Sequence, residues 1–150
     1  MKTGGPAACA SIAVALLVLN GCSSPVPMEV AAEGISVDCA RVIVVLPDKV
    51  GDFDKRSTNA QGTGAWGNPA SALLTCGVAQ PGPSGLECRT FDDVDWLIDD
   101  SDENFVRATT YGRSPTIEVA IDMAASAPGV ILDDLADAVK RIPATSSCNV

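Results

Sequence analysis

Thr116-Ile117-Glu118-Val119-Ala120-Ile121-Asp122-Met123 is the stretch whose reading decides the fold. Ile117, Val119, Ile121 and Met123 fall on one side of an extended chain, and Thr116, Glu118, Ala120 and Asp122 on the other. That is the period of a half-buried strand. Moving toward the N-terminus, residues 105–111, 94–98, 86–91 and 72–78 are also strand-like. Their connections are short, so sequential neighbours are predicted to pair as antiparallel hairpins. Downstream, Ser126 as N-cap and Pro128 in the first turn open a helix with Ile131, Leu132, Leu135, Val139 and Ile142 on one face, stopped by Pro143. Upstream, Ser36 caps a helix to Leu46 whose apolar positions Cys39, Val42, Ile43 and Leu46 follow the helical spacing, with Pro47 as its stop. Residues 42–45 are β-branched, which leaves a strand as the alternative there. Residues 51–68 read as a long glycine-rich loop. The expected fold is α+β: an antiparallel sheet of about five strands with an N-terminal and a C-terminal helix packed on one face.

The chain of 150 residues has a formal charge of −9 and no histidine. Nucleic acid is excluded as a partner, because its binding rests on cations that neutralise phosphates. The lack of histidine removes Ser-His, Cys-His and His-metal schemes together. No P-loop, nucleophile elbow or dinucleotide fingerprint is present, and no cofactor is expected.

Residues 1–21 read as an export signal: Lys2, then an apolar run from Ala7 to Leu19, too short to span a bilayer comfortably. The ending Leu19-Asn20-Gly21-Cys22 resembles a bacterial lipobox, with Asn20 as the departure from that pattern. Cys22 is therefore the candidate lipidation site, through which the protein would be held on the outer face of the cytoplasmic membrane. Residues 22–34 are read as a flexible tether and residues 35–150 as a single domain. An ordinary cleaved signal is the alternative to the anchor.

Four cysteines remain: Cys39, Cys76, Cys88 and Cys148. An even number in an exported chain predicts two disulfides, and their intervals do not suit a zinc site. Cys76 and Cys88 bracket a turn-rich segment with glycines and prolines, so the expected pairs are Cys76–Cys88 and Cys39–Cys148.

The series Trp66-Gly67-Asn68-Pro69, Cys76-Gly77-Val78, Asp95-Trp96 and Thr110-Tyr111-Gly112-Arg113-Ser114-Pro115 resembles that of an actinobacterial family known as domain of unknown function 3515. The resemblance covers roughly residues 35–148. It implies a small exported or lipoprotein-like envelope protein and no established activity.

Trp66, Tyr111 and Arg113 are the candidate ligand-binding residues. Trp66 sits in the long loop as a candidate stacking surface, and Arg113 beside Tyr111 as a candidate fork for a carboxylate or phosphate. The blander alternative makes Arg113 a solvated turn residue and both Trp66 and Trp96 core. Eight carboxylates fall from Glu87 to Glu103. They fail the EF-hand pattern and read mainly as solubilising charge. The expected role is a non-catalytic module binding an envelope protein or cell-wall component. The alternatives are an envelope enzyme or accessory using those carboxylates, and a purely structural lipoprotein.

Overall fold

The structure is a computed structural model that describes Met1, residues 24–82 and residues 85–148. The leader and Cys22 lie outside the described residues. Two short helices, α1 (Val37–Ile43) and α2 (Pro128–Val139), flank eight strands. The strands are β1 (Lys49–Val50), β2 (Phe53–Arg56), β3 (Thr63–Trp66), β4 (Ala72–Val78), β5 (Glu87–Phe91), β6 (Val94–Asp99), β7 (Phe105–Thr110) and β8 (Thr116–Asp122). All pair antiparallel in one sheet of order β1-β2-β3-β4-β8-β7-β6-β5.

The five-strand fold is corrected on three points. First, the sheet has eight strands, because residues 49–66 supply three, β2 and β3 inside the segment 51–68 expected as loop and β1 just before it. β2 is largely exposed and β3 is Thr-Gly-Ala-Trp, so neither shows alternating polarity. Pairing with the long strand β4 holds β3 in place, and β3 in turn holds β2. Second, the N-terminal helix does not reach Leu46. It ends at Ile43 with Val44 as C-cap, ahead of the β-branched Val44-Val45 pair and Pro47. Third, α2 is capped by Ala127 with no side-chain bond, not by Ser126.

The alternation of β8 sets the two faces of the sheet. Leu74, Val119 and Ala108 lie in one row across β4, β8 and β7, with Ala72, Ile121 and Val106 in the next. This inner face meets the buried side of α2 (Ile131, Leu132, Leu135, Val139) and Cys39 and Val42 of α1, forming one core that also takes Trp66 and Trp96. Burial of this apolar surface drives the fold. The outer face carries Thr75, Glu118 and Thr109, and Arg107 pairs with Glu118 across β7 and β8 at 3.1 Å.

The disulfides are Cys39–Cys76 and Cys88–Cys148, with Cα separations of 5.6 and 6.0 Å. The expected pairs Cys76–Cys88 and Cys39–Cys148 are overturned by topology. β4 and β5 are not sheet neighbours, since β8, β7 and β6 lie between them. Four strand spacings come to about 19 Å, far beyond disulfide reach of roughly 7 Å. Cys39 and Cys76 are fully buried, whereas Cys88 and Cys148 are only partly covered. Mild reductant with alkylation and mass mapping is therefore expected to open Cys88–Cys148 first. Simultaneous opening of both would contradict the burial difference.

The tether is also corrected. From Ser24 onward, residues 24–34 form a strap laid on the domain. Val26 is buried, its N–H donates to the Ser57 carbonyl at 2.8 Å, and it bridges Thr58. The Met28 N–H donates to Asn59 Oδ1 at 2.7 Å, and Arg56 donates to the Ser24 carbonyl at 3.0 Å. The Glu33 N–H donates to the Gly77 carbonyl at 3.1 Å. Proline content suggested a free segment, but backbone hydrogen bonds and one buried valine fix it.

Candidate functional site

The four sequence signatures turn out to be joints of the fold. In Trp66-Gly67-Asn68-Pro69, Trp66 is fully buried and its Nε1–H donates to the Pro47 carbonyl at 3.0 Å. Gly67, at φ +94°, makes the turn from β3 into β4. In Cys76-Gly77-Val78, the cysteine ties β4 to α1, and Gly77 sits at a register shift with φ +88°. A Cβ there would fall on the Glu33–Gly34 backbone of the strap, so only glycine lets the strap dock.

The Tyr111-Gly112-Arg113 turn does the same for the C-terminal tail. The Thr145 N–H and hydroxyl both donate to the Gly112 carbonyl, at 2.7 and 3.0 Å. Arg113 is only 6% exposed and its guanidinium donates to the Ile142 carbonyl just beyond α2. Burial pulls its pKa below the ordinary arginine value, while the Asp95 carboxylate pulls the other way. Asp95 itself accepts the Cys148 N–H at 2.8 Å and the Thr90 hydroxyl at 2.6 Å, and Trp96 beside it is core.

The expected ligand trio is therefore not assembled. Trp66 lies opposite Ala72 and Ile121 at one end of the strands, whereas Tyr111 and Arg113 precede Thr116 at the other. Trp66 offers no stacking surface and Arg113 no free fork, because both are engaged inside. Tyr111 alone is partly exposed. The competition between packing and recognition is not visible in sequence, since a buried joint and a binding turn both use Gly, Arg and aromatic residues.

Five of the eight carboxylates of the acidic stretch lie in turns, Asp92 and Asp93 between β5 and β6 and Asp100, Asp102 and Glu103 between β6 and β7. Asp99 accepts the Ser101 N–H at 3.0 Å and Asp102 the Asn104 N–H at 2.8 Å. Hydrogen bonds from Ser101 hold the Asp99 carboxyl below its usual range, and the Arg89 hydrogen bond does so for Glu87. Among the described residues no three His, Cys, Asp or Glu side chains are grouped to hold a metal ion.

Among the described residues, two concavities with apolar walls stand out. One, of about 250 Å³, lies between the strap and α1 and is lined by Gly34, Ile35, Ala40, Ile43, Val44 and Gln61, among others. The other, of about 310 Å³, is the corner of the inner sheet face that α2 leaves uncovered. Its floor is Phe91, Ile98 and Val106, its rim is Arg89, Asp100 and Met123, and the start of α2 (Pro128, Gly129) forms one wall. Gly129 lets the Phe91 ring lie against the helix, since a Cβ there would stand 3.0 Å from Cε1. Met123, on its rim, is half-exposed, which fits a surface made for contact. The sequence signal that could have found it is the start of α2, where Ala-Pro-Gly supplies no side-chain cap and no first-turn acid.

The chain matches the family model described as "protein of unknown function (DUF3515)" over residues 7–147, and so belongs to that family. No curated protein matches it, and no solved structure does.

Proposed function

We propose that this member of the DUF3515 family is an exported protein, lipid-anchored through Cys22, that works as a non-catalytic binding module in the cell envelope. Two disulfides fit an oxidising, exported setting. Among the described residues no helix is long and apolar enough to cross a membrane. Attachment would thus rest on the acylated cysteine, where two chains give stable anchoring and one does not.

The observation that carries the binding role is the open corner between α2 and β5–β7. An apolar floor, with Phe91 and Ile98 partly open above the buried Val106, lies beside a charged rim, which is the composition of a small recognition cleft. The partner we assign to it is an envelope protein that inserts an apolar side chain over Phe91, with polar groups meeting Arg89 and Asp100.

Met123 and Arg89 are exposed, so replacing them leaves the core alone. A photo-crosslinking side chain at Met123, in the full chain in its own membranes, is expected to give one discrete, saturable adduct. Arg89→Glu in that background should weaken its formation about thirtyfold, the loss of roughly 2 kcal/mol typical of an interface anchor. The cleft reading fails if Met123 gives no adduct while a probe at Thr109, on the opposite face, does.

A further inference from the structure

We propose that the protein sits on the membrane by its β1–β2 edge, with the exposed apolar side of α1 seated among the lipid headgroups and the acidic β5–β6 edge turned away. The inference rests on the reading of Cys22 as the lipid anchor and adds to it an orientation.

The length of chain between anchor and domain is the first argument. Ser24 is already fixed, its carbonyl accepting from Arg56 at 3.0 Å, and Val26 is buried two residues on. Two residue steps separate Ser24 from Cys22, a reach of at most about 7 Å. An acylated Cys22 therefore holds the domain against the bilayer instead of above it, and the contact must fall near β2.

The sheet places α1 beside that point. Arg56 holds Ser24, and its neighbour Lys55 on the same strand donates to the Leu46 carbonyl at 3.1 Å, just past the end of α1. The anchored end of the strap and the end of α1 thus flank β2 on its two faces, next to the edge strand β1. Around α1, Ile35 is 73% exposed, Val37 70% and Val44 79%. Single exposed aliphatics are ordinary, but a cluster on one short helix and its two flanks, beside an apolar groove, marks a contact surface. A membrane interface takes such side chains directly.

Charge supplies the third argument. Residues 24–70 carry six carboxylates and four cations, and the cations all lie on α1, β1 and β2 (Arg41, Lys49, Lys55, Arg56). Residues 71–148 carry thirteen carboxylates and five cations. The strand order puts β5 at the far edge from β1, seven strand spacings or about 34 Å away. An anionic leaflet repels the β5–β6 edge and tolerates the other. In this orientation the α2–β5 cleft faces away from the lipid.

The test uses the full-length acylated protein in vesicles of phosphatidylcholine and phosphatidylglycerol containing brominated lipid. A fluorescent side chain is placed at Val44 in one sample and at Asp102 in another. The expected result is at least threefold stronger quenching at Val44, with a blue-shifted emission. Equal quenching at the two positions, or a Val44 probe shielded without bromine quenching (a protein occupant), overturns the orientation. Mass spectrometry of the same sample separates the two readings. An unmodified Cys22 overturns anchor and orientation together, whereas a diacylated Cys22 with an unquenched Val44 overturns the orientation alone.

Discussion

A chain carrying Cys39→Ala and Cys76→Ala is expected to lose 4 kcal/mol or more of stability, and with it the ordered position of α1. The bridge spans 37 residues, and releasing a loop of that length restores about 4 kcal/mol of chain entropy to the unfolded state. Two further effects add to this. Both sulfurs are fully buried between α1 and β4, so removing them leaves a void in the core. A seven-residue helix also has no independent stability in water, and α1 stays helical only because Cys39 and Val42 are held against the sheet. Typical net stabilities are about 5–15 kcal/mol, so the variant should stand near the edge of unfolding. Urea denaturation monitored by tryptophan fluorescence would measure it, because Trp66 and Trp96 both lie in that core. The matching Cys88→Ala/Cys148→Ala variant releases a longer loop but leaves no buried void, and should lose only the entropic part. A loss below about 1 kcal/mol for the Cys39–Cys76 pair would contradict the packing described above.

The second large effect is expected at Arg113. If it were a solvated turn residue or a ligand fork, Arg113→Ala would leave the fold within about 0.5 kcal/mol of the parent. Instead the guanidinium is buried, donates to the Ile142 carbonyl and lies near Asp95. Removal leaves a buried carbonyl without its donor and a carboxylate without its neighbouring cation, worth about 2–4 kcal/mol together. For a domain of this size that is a fall in melting temperature on the order of 10 °C. The same change should loosen the path of the tail from Ile142 to Cys148, seen as faster amide exchange at Thr145 and Cys148. An unchanged melting temperature would restore Arg113 to the surface.

These two predictions show where sequence reading succeeds and where it stops. The alternation of Ile117, Val119 and Ile121 and the apolar face of α2 each report burial directly, because periodicity is a local consequence of having one wet and one dry side. Strands β1–β3 left no such trace. β3 is short and buried at every position, and β2 is mostly exposed, so neither alternates. Trp66 and Arg113 were recognised as unusual residues, yet their use as core and as joint depends on strands β4 and β8 and on the C-terminal tail lying where they do. The α2–β5 cleft leaves no trace in the sequence beyond the uncapped start of α2. It exists because a twelve-residue helix is too short to cover the whole inner face.

By itself the sequence determined the five strands β4–β8, the C-terminal helix, and that four cysteines would form two bridges. Each of these is written in composition or in a period of a few residues. Only the tertiary structure decided which cysteines pair, that residues 24–34 are docked, and that the family's signature residues face inward. Those outcomes hang on strand order, and order is set by contacts between segments far apart in the chain. β4 pairs with β8 across 38 or more residues of sequence and sends β5 to the opposite edge, away from Cys76. No local pattern encodes that choice; the burial of one shared face makes it.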